Sequence, residues 1–310
     1  MRILLIGPGA IGGYYAAKLI RAGADLTILA RGKSYQAIRK RGIFVKSYEG
    51  SFHVRPKVVR NLRDISPFDL IILCVKSYDT EAVLRKMRPV VGSRTVILSL
   101  QNGVDNERKI ATVFGRRKVL GGISFISSEV LRPGVIHHTG KGTVTIGELD
   151  HKKTKRLQAI TKIFLKAGIS TILSRHIQKD LWKKFSWNVG FNQVCTILRS
   201  SPGEVVSNEA GILLVRGAME EVIAVAREKG IPVSRKVILG HLHWSRTAKS
   251  RYTPTSMEQD FQKGRNTEYE AFAGTVVREG KRLKVPTPVN EVIYQILKFL
   301  SERCLKSQNA

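Results

Sequence analysis

Short apolar runs alternate with helix-like segments through the first half of the chain. MRILLI at residues 1–6, LIILCV at 70–75 and TVILSL at 95–100 are apolar throughout, as strands buried on both faces of a parallel sheet are. Segments with helical periodicity, such as AIGGYYAAKLIRAG and TEAVLRKMRPV, stand between such runs. The alternation predicts an α/β fold built on a doubly wound sheet.

Three shorter patterns predict how this sheet is completed. VKSYEGSFHV has a central Glu-Gly pair that suits a hairpin turn, and VIHHTG and TVTIGEL, separated by Lys-Gly, predict a closing hairpin. STILS at 170–174 predicts a short strand that returns to the same sheet.

The pattern changes from about residue 152 onward, where helical periods dominate. TKRLQAITKIFLKAG is the first of these segments and VNEVIYQILKFLSERC is the last. We therefore predict an α/β domain over residues 1–172 and an all-helical domain over residues 173–310.

A polar stripe interrupts one of the helical segments. In LWKKFSWNVGFNQ, Lys184, Asn188 and Asn192 are spaced four apart, so on an α-helix they lie along one face and drift by about 40° per step. A buried polar stripe needs partners, which are either neighbouring helices or a ligand. Because Lys183 adjoins Lys184, at least one of these two lysines should face solvent.

Composition predicts a water-soluble protein of two domains. The chain has 310 residues, 43% of them hydrophobic, and it contains no apolar run of eighteen or more, so we expect no membrane helix. The first strand-like run starts at Met1 and leaves no room for a leader, which predicts a cytoplasmic location. Cys74, Cys195 and Cys304 are far apart and odd in number, so we expect reduced thiols and no metal site.

The net charge of +29 is the outlying property of the composition. The basic residues are spread evenly, with +14 on residues 1–150 and +15 on residues 151–310. The densest run, HKKTKRL at 151–157, lacks the aromatic residues that accompany basic ones on nucleic-acid surfaces. We expect non-specific attraction to polyanions and no specific nucleic-acid partner.

A glycine pattern at the first strand predicts a dinucleotide site. Three glycines with G-x-G-x-x-G spacing follow a strand and open a helix, where they allow a tight turn, a close approach of the pyrophosphate and close helix packing. The first domain should therefore be of Rossmann type. The residues predicted to contact the cofactor are Gly7, Pro8, Gly9, Ala10, Ile11 and Gly12.

The end of the second strand predicts which cofactor binds. An NAD site usually has an acidic residue there, which accepts a hydrogen bond from the ribose 2′-hydroxyl. In this sequence DLTILA is followed by Arg31, with Lys33 close by. A cation favours the 2′-phosphate of NADP, unless Arg31 simply belongs to the basic surface. Lys76 and Asn102 follow the next two buried strands, at the end of the sheet where ligands bind, which predicts that they contact the cofactor. The alternative is that Lys76 is a solvated lysine and that Asn102 belongs to an ordinary Asn-Gly turn.

At this point the sequence resembles the 2-dehydropantoate 2-reductase (ketopantoate reductase) family over nearly its whole length. The matching segments are GPGAIGGYYAAKL, CVKSYDT, LQNGV, PGVIHHTGKGTVTIGE, LWKKFSWNVGFN, TSMEQDFQKGRNTEYEAFAG and VPTP. The resemblance implies NADPH-dependent reduction of 2-dehydropantoate to (R)-pantoate in pantothenate and coenzyme A biosynthesis. It also implies a helical C-terminal domain through which members often associate, so a homodimer is expected.

The resemblance also implies roles for individual residues. Lys184 matches the catalytic lysine, and a lysine near a ketone oxygen can stabilise the developing charge and donate the proton. Glu268 matches the acidic active-site residue, Lys76 and Asn102 match cofactor-side and active-site positions, and the substrate-binding positions fall on Asn188, Asn192 and Ser256.

One departure from the family keeps the substrate open. A further family asparagine aligns near Pro202, which has no side-chain donor. The alternative to 2-dehydropantoate is another branched 2-oxo acid on the same fold. An alternative function of a different class is a non-catalytic NADP sensor or a polyanion-binding protein. The presence of Lys184 and Glu268 at the catalytic positions of the family argues against this alternative.

Overall fold

The chain folds into two compact units, each with its own core. The computed structural model describes residues 1–309 and the side chains of residues 1–303, so the Cys304 thiol lies outside the described side chains. The first unit comprises residues 1–102 and 106–177, and the second comprises residues 103–105 and the chain from Gln178. The first unit extends beyond the predicted limit of residue 172 because the strand Thr171–Leu173 pairs within its sheet. The functions assigned to the two domains stay predictions.

A ten-stranded mixed sheet forms the first unit. Its strand order is β4-β3-β9-β8-β7-β6-β1-β2-β5, with β10 paired to β9. This confirms the α/β class with an N-terminal Rossmann-type sheet. The strands are β1 (Ile3–Ile6), β2 (Leu26–Leu29), β3 (Ile43–Ser47), β4 (Phe52–Val54), β5 (Lys57–Val59), β6 (Leu70–Leu73), β7 (Val96–Ser99), β8 (Val119–Arg132), β9 (Val135–Glu148) and β10 (Thr171–Leu173), and the helices are α1 (Ala10–Arg21), α2 (Gly32–Arg41), α3 (Thr80–Lys86), α4 (Asn106–Phe114) and α5 (Lys155–Lys166).

The centre of the sheet is parallel and buried on both faces. Strand β1 lies between β2 and β6, with Ile3 opposite both Leu26 and Leu70. Every residue of β1, β6 and β7 is buried, which is why their sequences are apolar throughout. Because these strands are parallel, the loops that follow β1, β2, β6 and β7 all leave the same edge of the sheet.

The closing hairpin predicted at Lys141 and Gly142 is wrong. The two segments form one long strand, β9, which pairs antiparallel with β8, and the reversal lies at residues 133–134, where Gly134 has φ +82°. Lys141 and Gly142, with φ of +59° and +120°, make a bulge in the middle of β9. The hairpin of β3 and β4 and the returning strand β10 are confirmed.

The second unit is all-helical over its described residues, as predicted. Its core includes Phe185, Phe191 and Phe272, with Val215 and Met219 from the helix Glu209–Glu228. Along the described chain, no helix combines the length and apolar character needed to cross a membrane. The helices are α6 (Ile177–Trp187), α7 (Gln193–Leu198), α8 (Pro202–Val206), α9 (Glu209–Glu228), α10 (Lys236–Thr247), α11 (Ser256–Gln262), α12 (Ala273–Leu283) and α13 (Pro288–Asn309).

Candidate functional site

The turn after β1 can be built only with glycine at two of its positions. Gly7 has φ +94°, and a Cβ on it would lie 2.7 Å from the backbone nitrogen of Val75. A Cβ on Gly12 would meet the carbonyl oxygen of Gly7 and lie 2.9 Å from Cβ of Cys74. These two glycines therefore let the turn and α1 pack tightly against the loop that follows β6.

Gly9 has a different role, because a Cβ on it would have no atom within 4 Å. Gly9 is the N-cap of α1, where no side chain caps the helix, and the first turn that follows has no acidic residue. The space beside Gly9 is therefore open, and the first amides of α1 lack intrahelical partners, as at helix N-termini that bind phosphate groups. A dinucleotide fits this turn.

The loop after β2 carries an ion pair that the sequence did not predict. Arg31 Nη2 lies 2.5 Å from Oδ2 of Asp79, a residue of the loop that follows β6. The Arg31 side chain is 80% exposed and the Asp79 side chain 23%. The predicted partner of the 2′-substituent is thus neutralised by a carboxylate that is far away in sequence.

A buried glutamine joins the loops that carry Lys76 and Asn102. Gln101 Nε2 donates to the carbonyl of Val75 at 3.0 Å and to Oγ1 of Thr80 at 2.8 Å. Lys76 and Asn102 are both half-buried beside these bonds. Sequence reasoning missed Gln101, although a polar residue directly after an apolar strand was a usable signal.

The predicted helix with the polar stripe is not a regular α-helix. Helix α6 ends at Trp187, residues Asn188–Asn192 form a π-helical turn, and α7 begins at Gln193. Residues four apart overshoot a full turn by about 40° in an α-helix and fall short of one in a wider π turn. The drift between Lys184 and Asn188 is therefore reversed between Asn188 and Asn192, which keeps all three on one face.

Packing and side-chain hydrogen bonds stabilise this π turn. A Cβ on Gly190 would lie 2.6 Å from Cε of Met219, so the missing side chain lets α9 pack directly against the turn. The carbonyl of Lys183 accepts from Ser186 Oγ at 2.8 Å and from His241 Nε2 at 3.1 Å. Such extra donors satisfy carbonyls where a helix departs from its regular ladder.

A second glutamine fixes the turn that contains Glu268. Gln193 is fully buried, donates to the carbonyl of Val189 at 2.8 Å, and accepts from the amide of Ala273 at 2.8 Å. Since Ala273 begins α12 directly after the Glu268 segment, this side chain joins the segment to the π turn.

Burial and a nearby charge act in opposite directions on the pKa of Lys184. Lys184 is half-buried, and this burial lowers the pKa of its amine to about 8, while the charge of Glu268 acts in the opposite direction. Glu268 is itself 6% exposed. The structure thus brings Lys184 and Glu268 within electrostatic reach of each other.

The two asparagines of the stripe are both buried, Asn188 at 4% exposure and Asn192 at 2%. Among the residues that the structure describes, none forms a hydrogen bond with Oδ1 of Asn192. A buried amide oxygen in this state costs about 1–3 kcal/mol unless a ligand or solvent satisfies it. Asn192 therefore offers an acceptor at the end of the stripe.

Ser256 and Pro202 each begin a short helix. Ser256 is exposed at the first position of α11, where Thr255 is the N-cap. Pro202 is buried at the first position of α8, behind a capping box of Ser201 and Glu204. Pro202 therefore has a role in the fold, since proline suits the first turn of a helix.

A group of basic residues lies at the opposite edge of the sheet from these loops. A cavity of about 580 Å³ is found where β7 and β8 begin. It takes no part in the candidate site. Its basic lining residues are Arg94, Arg116, Arg117, Lys118 and Arg156.

Two family models match the chain in order. Ketopantoate reductase PanE/ApbA matches residues 3–151, and Ketopantoate reductase PanE/ApbA C terminal matches residues 176–301. The chain belongs to the ketopantoate reductase family. This confirms the resemblance predicted from the sequence and places the chain in a family of oxidoreductases.

Individual relatives agree over almost their entire length. The 2-dehydropantoate 2-reductase of Aquifex aeolicus is 32% identical, covering 96% of each chain. An uncharacterized oxidoreductase of Bacillus subtilis, YkpB, is 28% identical over 96% of this chain and 98% of its own. The crystal structure of 2-dehydropantoate 2-reductase from Geobacter metallireducens is 32% identical, with a TM-score of 0.90 over 96% of this chain and 99% of that one.

Proposed function

We propose that this protein reduces 2-dehydropantoate to (R)-pantoate with NADPH, in pantothenate and coenzyme A biosynthesis. The observation that carries the proposal is the stripe on α6 and the π turn, where an amine with a pKa of about 8 stands on the same helix face as two buried amides. Family membership supports the same reaction.

The reduction needs a proton donor at the ketone oxygen, and Lys184 takes this role. A reduced nicotinamide cofactor, when bound, supplies the hydride. Negative charge then develops on the oxygen, which the Lys184 ammonium stabilises and protonates. Since the pKa of Lys184 is about 8, the amine is still mostly protonated at neutral pH and gives up its proton more readily than an exposed lysine.

The remaining polar groups of the second unit orient the substrate. The Asn192 side-chain amide donates to the oxygen of the substrate hydroxyl, and the Asn188 side-chain amide donates to the substrate carboxylate. The Ser256 hydroxyl binds the carboxylate. Glu268 keeps Lys184 protonated and also binds the substrate hydroxyl. Groups on helices are held more rigidly than groups on loops, which favours a fixed substrate geometry.

The first unit supplies the cofactor site. The turn from Gly7 to Gly12 accepts the pyrophosphate on the amides of α1, and Arg31 attracts the 2′-phosphate. Lys76 and Asn102, at the ends of β6 and β7, contact the cofactor. The absence of an acidic residue at the end of β2 supports NADPH over NADH.

Steady-state kinetics with a panel of branched 2-oxo acids and NADPH test this proposal. We expect the highest kcat/KM for 2-dehydropantoate, with (R)-pantoate as the product. A higher kcat/KM for another branched 2-oxo acid would assign the chain to a different substrate, and no NADPH oxidation with any of them would overturn the proposal.

Assembly and location also stay proposals. An apolar groove of about 380 Å³ lies on the second unit between α7, α9 and α13, and Leu214, Val292 and Ile296 are exposed along it. A second copy of the chain would cover these side chains, so we propose a homodimer through the helical unit. We propose a cytoplasmic location, as for other enzymes of coenzyme precursor synthesis.

A further inference from the structure

The Arg31–Asp79 pair spans the strand that carries the glycine turn. Strand β1 lies between β2 and β6, Arg31 follows β2, and Asp79 lies in the loop after β6. The 2.5 Å contact between Arg31 Nη2 and Asp79 Oδ2 therefore joins the loops on the two sides of β1. This is the edge of the sheet at which the adenosine half of a dinucleotide binds in such folds.

Asp79 is directed toward Arg31 and away from its own helix. It is the residue directly before α3, a position where aspartate commonly accepts from the helix amides. Its carboxylate makes no such cap bond and pairs with Arg31. With 23% of its side chain exposed against 80% for Arg31, the carboxylate is the more buried of the two groups.

A carboxylate at this place has opposite effects on the two nicotinamide cofactors. The 2′-phosphate of NADPH is attracted by Arg31 and repelled by Asp79, whereas the ribose 2′-hydroxyl of NADH can donate a hydrogen bond to Asp79. The acidic residue that an NADH site usually carries on its second strand is thus supplied here by the loop after β6.

We propose that Asp79 is a specificity-determining residue that lowers the preference for NADPH and makes NADH a usable second reductant. The proposal rests on the proposed function in one respect, that the glycine turn binds a nicotinamide dinucleotide. It does not depend on which 2-oxo acid is reduced.

Equilibrium titration of the purified full chain with NADPH and with NADH, without any oxo acid, tests this inference. Asp79→Asn keeps the size of the side chain and removes its charge, so we expect NADPH to bind about tenfold more tightly, or about 1.4 kcal/mol. NADH should bind equally well or somewhat more weakly. Glu81→Gln is the matched control, because Glu81 lies exposed in the same first turn of α3, and its loss should leave the ratio of the two Kd values unchanged.

The outcomes separate this inference from the proposed function. If the ratio of Kd values in Asp79→Asn stays within about twofold of the wild-type ratio, or if both cofactors weaken equally, the specificity role of Asp79 is refuted. If neither cofactor binds the wild-type protein, the proposed function fails as well. Asp79→Ser removes the same charge and serves as the second variant should Asp79→Asn not fold.

Discussion

The pH dependence of the reduction depends on the Lys184 amine. Burial lowers the pKa of Lys184 to about 8, and the reduction that we propose requires the protonated form. We therefore expect kcat/KM for 2-oxo acid reduction to be constant at lower pH and to fall about tenfold per pH unit above about pH 8. Oxidation of the hydroxy acid requires the neutral amine, so its kcat/KM should rise with pH and level off above the same value.

Replacing Glu268 by glutamine should move the descending limb of this pH profile, the part above about pH 8 where kcat/KM falls, to lower pH. The negative charge of Glu268 raises the pKa of Lys184 against the effect of burial, so Glu268→Gln should lower that pKa further below 8. An opposite charge near a partly buried amine is worth on the order of one pKa unit, or about 1.4 kcal/mol. The pH above which the reduction slows should fall by a similar amount, even though turnover should also fall because of the substrate contact that we propose for Glu268.

Initial rates of NADPH oxidation across the pH range, at substrate concentrations well below KM, measure this limb directly. Lys183→Ala is the control, because Lys183 is exposed on the same helix and its loss should leave the limb in place. A profile without a limb near pH 8, or a Glu268→Gln limb that moves to higher pH, would refute the assignment of this pKa to Lys184 and its coupling to Glu268.

Two further predictions test the cofactor site and the π turn. Arg31→Ala should weaken NADPH binding far more than NADH binding, because only NADPH has the 2′-phosphate; equal loss in a titration with both cofactors would remove the role of Arg31. Gly190→Ala places a methyl group 2.9 Å from Cγ of the buried Met219, an atom that cannot swing away as its terminal Cε can, so urea unfolding should show a loss of about 1–3 kcal/mol. Gly240→Ala, with no atom within 4 Å of the added carbon, should show no such loss. Unchanged stability in Gly190→Ala would mean that the π turn does not depend on this close packing.

Local sequence predicted the features that depend on local structure. The glycine turn follows from the steric needs of Gly7 and Gly12, and the continuous apolar runs follow from burial on both faces of the sheet. The bulge at Lys141 and Gly142 could not be told from a hairpin turn, because both use positive φ at such a pair. Only the pairing of β9 with β8, set by distant residues, decides between them.

The sequence identified candidate site residues, whose roles stay predictions, but it did not predict the geometry in which the structure holds them. The spacing of Lys184, Asn188 and Asn192 identified the stripe, whereas the π turn depends on packing against Met219 and on a hydrogen bond from His241, both distant in sequence. The Arg31–Asp79 pair depends in the same way on the strand order of the sheet. Contacts of this kind arise from topology and cannot be read from local periodicity.

A single-turnover experiment tests the central claim, that the Lys184 amine protonates the reduced ketone. Wild-type protein and Lys184→Ala are each loaded with NADPH, mixed with saturating 2-dehydropantoate, and followed by the loss of NADPH absorbance. We predict that Lys184→Ala binds NADPH as tightly as the wild type but reacts at least about 10²-fold more slowly. A single-turnover rate equal to that of the wild type would contradict the account.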